Sequence, residues 1–306
     1  MMYLFEYLFL NVLVGIFYVL PAKIVAALGR GFGLFLHALG VRKSVVLENL
    51  NIAFAHKKTP DEIAKICQNF YAHIGSVMFE LMMLRTIKPG DLHQYVTLEG
   101  AEILEEARLE GKGVVMAGNH FGHWELLSAA VNYLGQPFSA FVGGQKNPLV
   151  DELINRIRSR FGLDYISKSP RAGREMIAVL AKKKGILGML GDLNVPRMNL
   201  FVDFFGVKAA VGEGLSSFTV KGNRPLVMIW IRRVGPVTHE GHIERLDYEI
   251  TGDTETDTKH VAQVISNRLQ ELIELYPEQY FWFNRRYKTR PQVEKDQGIE
   301  YYKKKK

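Results

Sequence analysis

The chain has very little cysteine and no long uninterrupted hydrophobic run. Its 306 residues contain one cysteine, Cys67, which excludes an internal disulfide and is typical of a reducing compartment. Residues 3–20 are strongly apolar, but Glu6 and Asn11 interrupt them, so the clean stretch is shorter than the roughly 20 residues of a spanning helix. A P-loop, a dinucleotide fingerprint, an internal repeat and a nucleic-acid motif are also missing, and we expect no nucleic-acid partner.

The apolar segment at the start of the chain, residues 1–22, is predicted to be a membrane anchor that stays attached. No basic region precedes it and no small-residue cleavage site follows it, which argues against a removed signal peptide. Its Tyr and Phe residues suit a membrane interface. The pattern leaves open whether the segment spans the bilayer or lies in its plane, and a buried core helix is the alternative.

The positive charge is concentrated at one end of the chain. The net charge is +7, and residues 285–306 carry +6 of it, with nine Lys or Arg against three Asp or Glu. The rest of the chain is therefore nearly neutral. Residues 291–306 are predicted to form a basic tail, whose terminal lysines 303–306 favour contact with an anionic membrane surface.

The stretch 111–127 has the pattern of a buried strand, a tight turn and a helix. The apolar run 113–117 predicts a strand buried on both faces, and an amphipathic helix is predicted over 124–134. Such a turn lies at the carboxyl end of a parallel strand, where open α/β folds carry their chemistry. The turn contains Asn119 and His120, and Glu125 follows five positions after the histidine.

His120 and Glu125 are predicted to form a catalytic dyad. If Glu125 accepts a hydrogen bond from one ring nitrogen of His120, the other nitrogen is available to remove a proton from a substrate hydroxyl. No Ser or Cys lies within the motif, which favours direct transfer to a bound alcohol.

Spacing alone leaves two alternatives to the dyad. One is a structural turn histidine beside an acid favoured by the helix dipole, and the other is a metal site of His120, His123 and Asp192. We expect no metal, because no cysteine ligand is near.

The remaining pattern predicts strands over 138–142, 185–190 and 226–231, an edge strand over 246–250 and a helix over 258–275. Strands that alternate with helices predict a single α/β domain, residues 23–290, with a mostly parallel or mixed central sheet flanked by helices. Asp192 comes directly after the strand over 185–190. We therefore expect its carboxylate at the same edge of the sheet as His120.

The motif His120-Phe-Gly-x-Trp-Glu125 resembles the His-x4-Glu form of the lysophospholipid acyltransferase motif. In detail it resembles the late acyltransferases of lipid A biosynthesis, of lauroyl or myristoyl type, a branch that includes phosphatidylinositol mannoside acyltransferases. The likeness covers nearly the whole chain and includes Asp203-Phe-Phe-Gly206 and the segment that begins at Pro277. Asn284 stands in that segment where the family usually has His, so this position is not expected to act as a base.

This resemblance implies a membrane-associated acyltransferase that uses no cofactor. The acyl chain comes from a thioester of acyl carrier protein or of coenzyme A, and the acceptor is a hydroxyl of a membrane glycolipid, first of all a lipid A precursor. The implied location is the inner membrane, with the catalytic domain on its cytoplasmic face. A lysophospholipid or phosphatidylinositol mannoside acceptor is the alternative within the enzyme class, and a non-catalytic lipid-binding protein is the alternative outside it.

The resemblance also implies substrate-binding residues outside the dyad. Arg158 matches an arginine that helps to shape the family's active site, and Asp192 matches the family's Asp-Gln pair, although Leu193 replaces the Gln. Glu213 and Gly214 match the Glu-Gly of the wider superfamily without its neighbouring Thr-Arg. Asn119 is expected to bind substrate from the same turn as His120.

Overall fold

The computed structural model of the chain describes residues 2–196 and 200–302. The strands are β1 Val96–Glu99, β2 Val114–Gly118, β3 Phe138–Val142, β4 Asp164–Ser167, β5 Ile186–Leu190, β6 Phe201–Phe204, β7 Val207–Ala210, β8 Leu226–Arg233 and β9 His239–Arg245. The helices are α1 Met2–Phe17, α2 Ala22–Ala38, α3 Lys43–Phe54, α4 Pro60–Met83, α5 Ala101–Leu109, α6 Trp124–Tyr133, α7 Pro148–Arg160, α8 Ala172–Ile177, α9 Gly214–Gly222, α10 Thr254–Leu275 and α11 Gln292–Asp296.

The central sheet has the strand order β1-β9-β8-β2-β5-β3-β4. β8 and β9 pair antiparallel, and the other neighbouring strands pair parallel. β6 and β7 form a separate antiparallel hairpin. The predicted mostly parallel or mixed sheet flanked by helices is therefore confirmed.

Helices cover both faces of the sheet. We call one side the α6/α7 layer, which also holds α5, part of α1 and the end of α4. The other side is the α9/α10 layer, which also holds α3, α8 and the β6–β7 hairpin. Along β2, Val114 and Met116 pack into the α6/α7 layer, whereas Val115 and Ala117 pack into the α9/α10 layer. This two-residue alternation explains why the strand reads as a continuous apolar run.

One predicted strand is wrong. Residues 246–250 have no regular structure, and the strand that pairs with β8 is β9, which ends at Arg245. β9 has the sequence His-Glu-Gly-His-Ile-Glu-Arg, in which Ile243 is the single aliphatic residue, so its apolar alternation is weak. The strand is stabilised instead by backbone pairing on both sides and by the His242 ring stacked on Trp230, with centroids 3.9 Å apart.

The N-terminal helices have one packed side and one exposed apolar side. Val14 and Phe17 of α1 are buried, and the Asn147 side chain donates hydrogen bonds to the Tyr3 carbonyl at 2.9 Å and to Glu6 at 2.8 Å. Exposed large hydrophobic side chains continue from α1 into α2 and include Leu4, Phe5, Leu8, Phe9, Val12, Ile16, Ile24, Leu28 and Phe35. Within the described ranges no single helix is long and apolar enough to cross a membrane, and α2 with α3, bent by 91°, meets that test only as a pair.

Much of the predicted C-terminal tail folds back onto the body. Residues 291–302 contain α11, and the Tyr302 hydroxyl donates to the Asn49 side chain at 2.6 Å and accepts from the Tyr287 N–H at 3.0 Å. The rings of Tyr301 and Tyr302 pack against the α9/α10 layer. The predicted membrane-binding lysines 303–306 lie outside the described residues.

Candidate active site

The loop between β2 and α6, residues 119–123, is held in place by the C-terminal segment. The His120 carbonyl accepts a hydrogen bond from the Phe281 N–H, and the Gly122 N–H donates to the Gln279 carbonyl, both at 2.9 Å. Gly122 has φ +59°, and a Cβ there would lie 1.9 Å from the Ile231 carbonyl oxygen, so the position requires glycine. His120 is thereby fixed at the carboxyl end of β2.

Asp192 is the carboxylate that orients His120. It follows β5, which pairs parallel with β2, so the two strand ends are neighbours. One carboxylate oxygen lies 2.8 Å from His120 Nδ1, and the other accepts from the His120 backbone N–H at 3.0 Å. Burial raises the pKa of Asp192, but the coulombic interaction with His120 and the two hydrogen bonds lower it by more, below the usual 3.8. Ionised Asp192 accepts from Nδ1–H, which leaves the lone pair of the ring on Nε2.

Glu125 pairs with Arg158. The Arg158 guanidinium donates to both carboxylate oxygens of Glu125, from Nε at 2.9 Å and from Nη2 at 2.5 Å. The two side chains are only 11% and 12% exposed. Burial lowers the pKa of Arg158, but the hydrogen bond and the charge of Glu125 raise it by more. The predicted hydrogen bond from the His120 ring to Glu125 is therefore wrong, because Glu125 faces α7 while Asp192 occupies Nδ1.

An apolar cavity of ≈ 600 Å³ opens beside His120, between the sheet and helices α6 and α7. His120, Glu125 and Arg158 contribute its charged and titratable groups. The apolar lining comes from both the sheet and the helices and includes Leu81, Met116, Phe138, Ala140, Ile154, Leu163, Met189 and Ile229. A mainly apolar cavity of this size with a few polar groups is typical of a site for a ligand with a hydrocarbon part.

Two aromatic residues to which the sequence analysis assigned no role in the site, Trp124 of the motif and Phe281, enclose the His120 ring. The ring centroids of Trp124 and Phe281 lie 5.1 Å and 5.7 Å from that of His120, and 5.8 Å from each other. Both residues line the cavity. Phe281 lies between the buried residues Tyr280 and Trp282, and the run of four aromatic residues from Tyr280 to Phe283 is the sequence signal that points to it.

The other predicted substrate-binding residues lie around the cavity without lining it. Asn119 is 4% exposed, and its Nδ2 has no partner within the described ranges. Glu213 directly precedes α9, and its carbonyl accepts the first hydrogen bond of the helix, from the Ser217 N–H at 2.8 Å. Gly214 packs against Met189, which lines the cavity. A Cβ at position 214 would lie 2.8 Å from Cε of Met189, so a larger residue would displace that side chain.

His123 does not join His120 and Asp192 in one cluster. Its Nδ1 accepts from the Leu126 N–H at 3.3 Å, which caps α6, and its Nε2 lies 4.0 Å from Glu80. Burial lowers the pKa of His123 well below its usual value, so the ring is neutral. Among the described residues, no three His, Cys, Asp or Glu side chains are placed to hold a metal ion.

Cys67→Ser is expected to keep most of the turnover, since Cys67 is packing in α4. The thiol is fully buried in the α9/α10 layer, and burial raises its pKa to about 11, far from that of a reactive thiolate. Turnover and melting temperature of the variant test this expectation. A loss of activity in a variant that still folds would contradict it, as would a stable acyl adduct on the wild-type protein after incubation with donor alone.

Comparison with known proteins gives one family for nearly the whole chain. A sequence model described as bacterial lipid A biosynthesis acyltransferase matches residues 1–289. The lipid A biosynthesis palmitoleoyltransferase of Escherichia coli (strain K12) is 26% identical over 274 residues, which cover 89% of this chain and 87% of that protein. The lauroyltransferase of the same organism is 24% identical over 275 residues, 89% of this chain and 88% of that protein. Its myristoyltransferase is 26% identical over 275 residues, 87% and 80%.

These relatives differ in the acyl group that their names state, yet they are about equally similar to this chain. Similarity therefore gives the kind of reaction and not the chain length. The match over residues 1–289 also contains His120, Glu125, Arg158 and Asp192, which the fold brings to one edge of the sheet. The chain belongs to the bacterial lipid A biosynthesis acyltransferase family and is an acyltransferase.

Proposed function

We propose that the protein transfers a fatty acyl chain from a thioester of acyl carrier protein or coenzyme A to a hydroxyl of a lipid A precursor. The observation that carries the proposal is the His120–Asp192 pair at the edge of the ≈ 600 Å³ apolar cavity. The cavity takes the acyl chain, and the thioester carbonyl then lies at the cavity edge beside His120 Nε2. The acceptor hydroxyl approaches the same nitrogen from the open side.

His120 acts as the general base. Nε2 removes the proton of the acceptor hydroxyl while the oxygen attacks the thioester carbonyl, which gives a tetrahedral intermediate. When the C–S bond breaks, the imidazolium returns the proton to the leaving thiolate. Asp192 holds the reactive tautomer and stabilises the imidazolium, as a buried acid does behind a catalytic histidine.

Glu125 acts through Arg158. The bidentate pair keeps the guanidinium inside the cavity wall, close to where negative charge develops on the carbonyl oxygen. Without Glu125, the guanidinium would lose the partner that fixes its orientation. In this proposal Glu125 is a positioning residue, and His120 is the base.

The transfer is direct, without an acyl-enzyme. The one serine of the described residues that lines the cavity is Ser128, and its hydroxyl donates to the Trp124 carbonyl at 3.0 Å. Cys67 lies in the other layer of the fold. A covalent intermediate would need an activated nucleophile within reach of the histidine, so a ternary complex of donor, acceptor and protein is the simpler route.

A thiol-release assay with purified protein tests the function. We expect release of thiol from an acyl thioester only when an acceptor is present, and faster with a lipid A precursor than with a lysophospholipid or a phosphatidylinositol mannoside. Mass spectrometry of the product lipid identifies the new ester. Binding of lipid without any thiol release would show a lipid-binding protein that has kept the fold.

Membrane association through α1 is part of the proposal, with the catalytic domain on the cytoplasmic face of the inner membrane. Phe5, Phe9 and Val12 are 72%, 54% and 61% exposed on one side of α1. Replacing all three by Ser should reduce flotation with liposomes strongly, because burial of such a side chain in lipid is worth about 1.5 kcal/mol or more. The control replaces Leu109, Tyr133 and Leu275, which are exposed to a similar degree, by Ser. Equal flotation of the two triple variants would contradict an anchor at α1.

A further inference from the structure

A second, basic pocket lies on the α9/α10 side of the same sheet edge. It has a volume of ≈ 340 Å³ and lies between the segment 285–290 and the folded-back residues 295–302. Glu300 is the one acidic residue of its lining. Four cationic side chains and two aromatic rings form most of its wall: Arg285, Lys288, Arg290, Lys295, Tyr301 and Tyr302.

The wall of this pocket is built by buried contacts. Arg290 is 4% exposed, and its guanidinium donates to the Lys208 carbonyl and to Glu294 while it lies 4.8 Å from the Tyr301 ring centroid. Its Nε is buried and has no partner within the described ranges. The Arg285 guanidinium lies 5.9 Å from the Tyr302 ring centroid. These contacts place the Arg285 and Arg290 guanidinium groups against the two tyrosine rings.

Of the four cationic side chains of the pocket, Arg290 is the one with an ion-pair partner among the described residues, Glu294. In the described part of the chain, Arg285, Lys288 and Lys295 form no ion pair with an acidic side chain. Lys288 and Lys295 are exposed at its mouth. Several cations around one concave site favour an anion with several oxygens, and a phosphate group meets that description.

The pocket is close to the reactive histidine. Phe281 contacts the His120 ring, and Arg285 follows it by four residues, which span at most about 14 Å. Asn194, which follows the cavity residue Leu193, ties the two sites together. Its N–H donates to the Asn284 side chain at 3.0 Å, and its side-chain oxygen accepts from the Thr289 N–H at 3.0 Å.

We propose that this pocket binds the phosphate of the pantetheine arm on the acyl donor, an inference that rests on the proposed function. The arm joins the thioester sulfur to a phosphate through about as many backbone atoms as four extended residues, roughly 14 Å. With the acyl chain in the cavity and the thioester at His120, the arm crosses the sheet edge past Phe281. Its phosphate then meets Arg285, Lys288 and Lys295.

The basic pocket lies away from the exposed apolar helix α1 and partly outside the segment matched by the family model. α1, which carries the exposed apolar side chains, packs in the α6/α7 layer, whereas the basic pocket lies against the α9/α10 layer. The donor phosphate is therefore placed on the side away from α1. The family match ends at residue 289, so Arg290, Lys295 and both tyrosines of the pocket lie beyond it.

The test compares two donors that differ by one phosphate, dodecanoyl phosphopantetheine and dodecanoyl pantetheine, on the full chain. We expect the wild type to have a KM about tenfold lower for the phosphorylated donor, as two exposed ion contacts provide. Lys288→Gln/Lys295→Gln should remove that preference, with kcat unchanged and with an unchanged KM for dodecanoyl pantetheine. Calorimetric titration with phosphopantetheine, which needs no turnover, should show the same weakening.

The matched control is Lys182→Gln/Lys183→Gln, which removes two exposed lysines at the amino end of β5, on the opposite edge of the sheet. It should behave as the wild type. A Lys288/Lys295 variant that keeps the preference for the phosphorylated donor overturns the proposal. The proposal is also overturned if this variant has an unchanged KM for the phosphorylated donor but reduced flotation on phosphatidylglycerol vesicles compared with phosphatidylcholine vesicles. In that case the pocket binds lipid headgroups. If neither donor is turned over but phosphopantetheine binds and the variant weakens it, the pocket stands and the proposed function fails.

Discussion

His120→Ala is expected to reduce turnover by at least ~10²-fold while the protein stays folded, because that is the usual contribution of a general base. The side chain is 17% exposed and its hydrogen bond is to Asp192, so its loss leaves a small opening at the cavity edge and not a hole in the core. Thiol release under saturating donor and acceptor measures the effect, and circular dichroism and the melting temperature check the fold.

The control for this variant is His56→Ala, since His56 is exposed just before the start of α4. It should have wild-type turnover. A purified, folded His120→Ala protein that works at nearly the wild-type rate would remove the base from the mechanism, and the transfer would then need another proton acceptor in the cavity.

Asp192→Asn is expected to lower kcat by ~10² or more, although the substitution keeps the shape of the side chain. The amide can donate to Nδ1 and so favours the ring tautomer with its proton on Nε2, the nitrogen that must accept the substrate proton. It also removes the charge that stabilises the imidazolium. The pKa of Asp192 lies below its usual value, so the wild-type carboxylate is ionised throughout the neutral range.

A double-mutant cycle separates this role from a structural one. If Asp192 acts only through His120, Asp192→Asn should cost little further activity in the His120→Ala background, because residues that act as one unit are not additive. Asp203→Asn, on the exposed end of the β6–β7 hairpin, is the matched control. Full additivity of the two active-site substitutions would contradict the assignment of Asp192 as the partner of His120.

His120 pairs with Asp192 and not with the predicted Glu125, a difference that a local sequence pattern cannot predict. Glu125 is five residues from His120 and Asp192 is 72 residues away, so a spacing argument favours the nearer acid. The parallel pairing of β2 with β5 brings Asp192 to Nδ1, and α7 brings Arg158 to Glu125. Both pairs depend on which strands and helices are neighbours, and this information is not contained in residues 111–127.

The folded-back C-terminus is a second case in which a local sequence pattern does not predict the contacts, here those of charged residues. The Lys and Arg residues at the end of the sequence predict a basic tail over residues 291–306 that contacts a membrane surface. In the structure, Arg290 is buried between Lys208, Glu294 and Tyr301, and Tyr302 bonds to Asn49 across 253 residues of chain. Aromatic side chains that gain buried contacts stabilise this arrangement, and no local pattern specifies their partners.

By itself the sequence determined the elements and the chemistry of single residues. The apolar run before His120 and the apolar stripe of α10 are local, since strand and helix periods depend on neighbours within about four residues. Tertiary structure alone decided that Asp192 pairs with His120, that Arg158 holds Glu125, and that basic residues and tyrosines form a pocket near Phe281. The physical reason is that these contacts join residues far apart in the chain, and their geometry follows from the strand order and from the packing of both helical layers on one sheet.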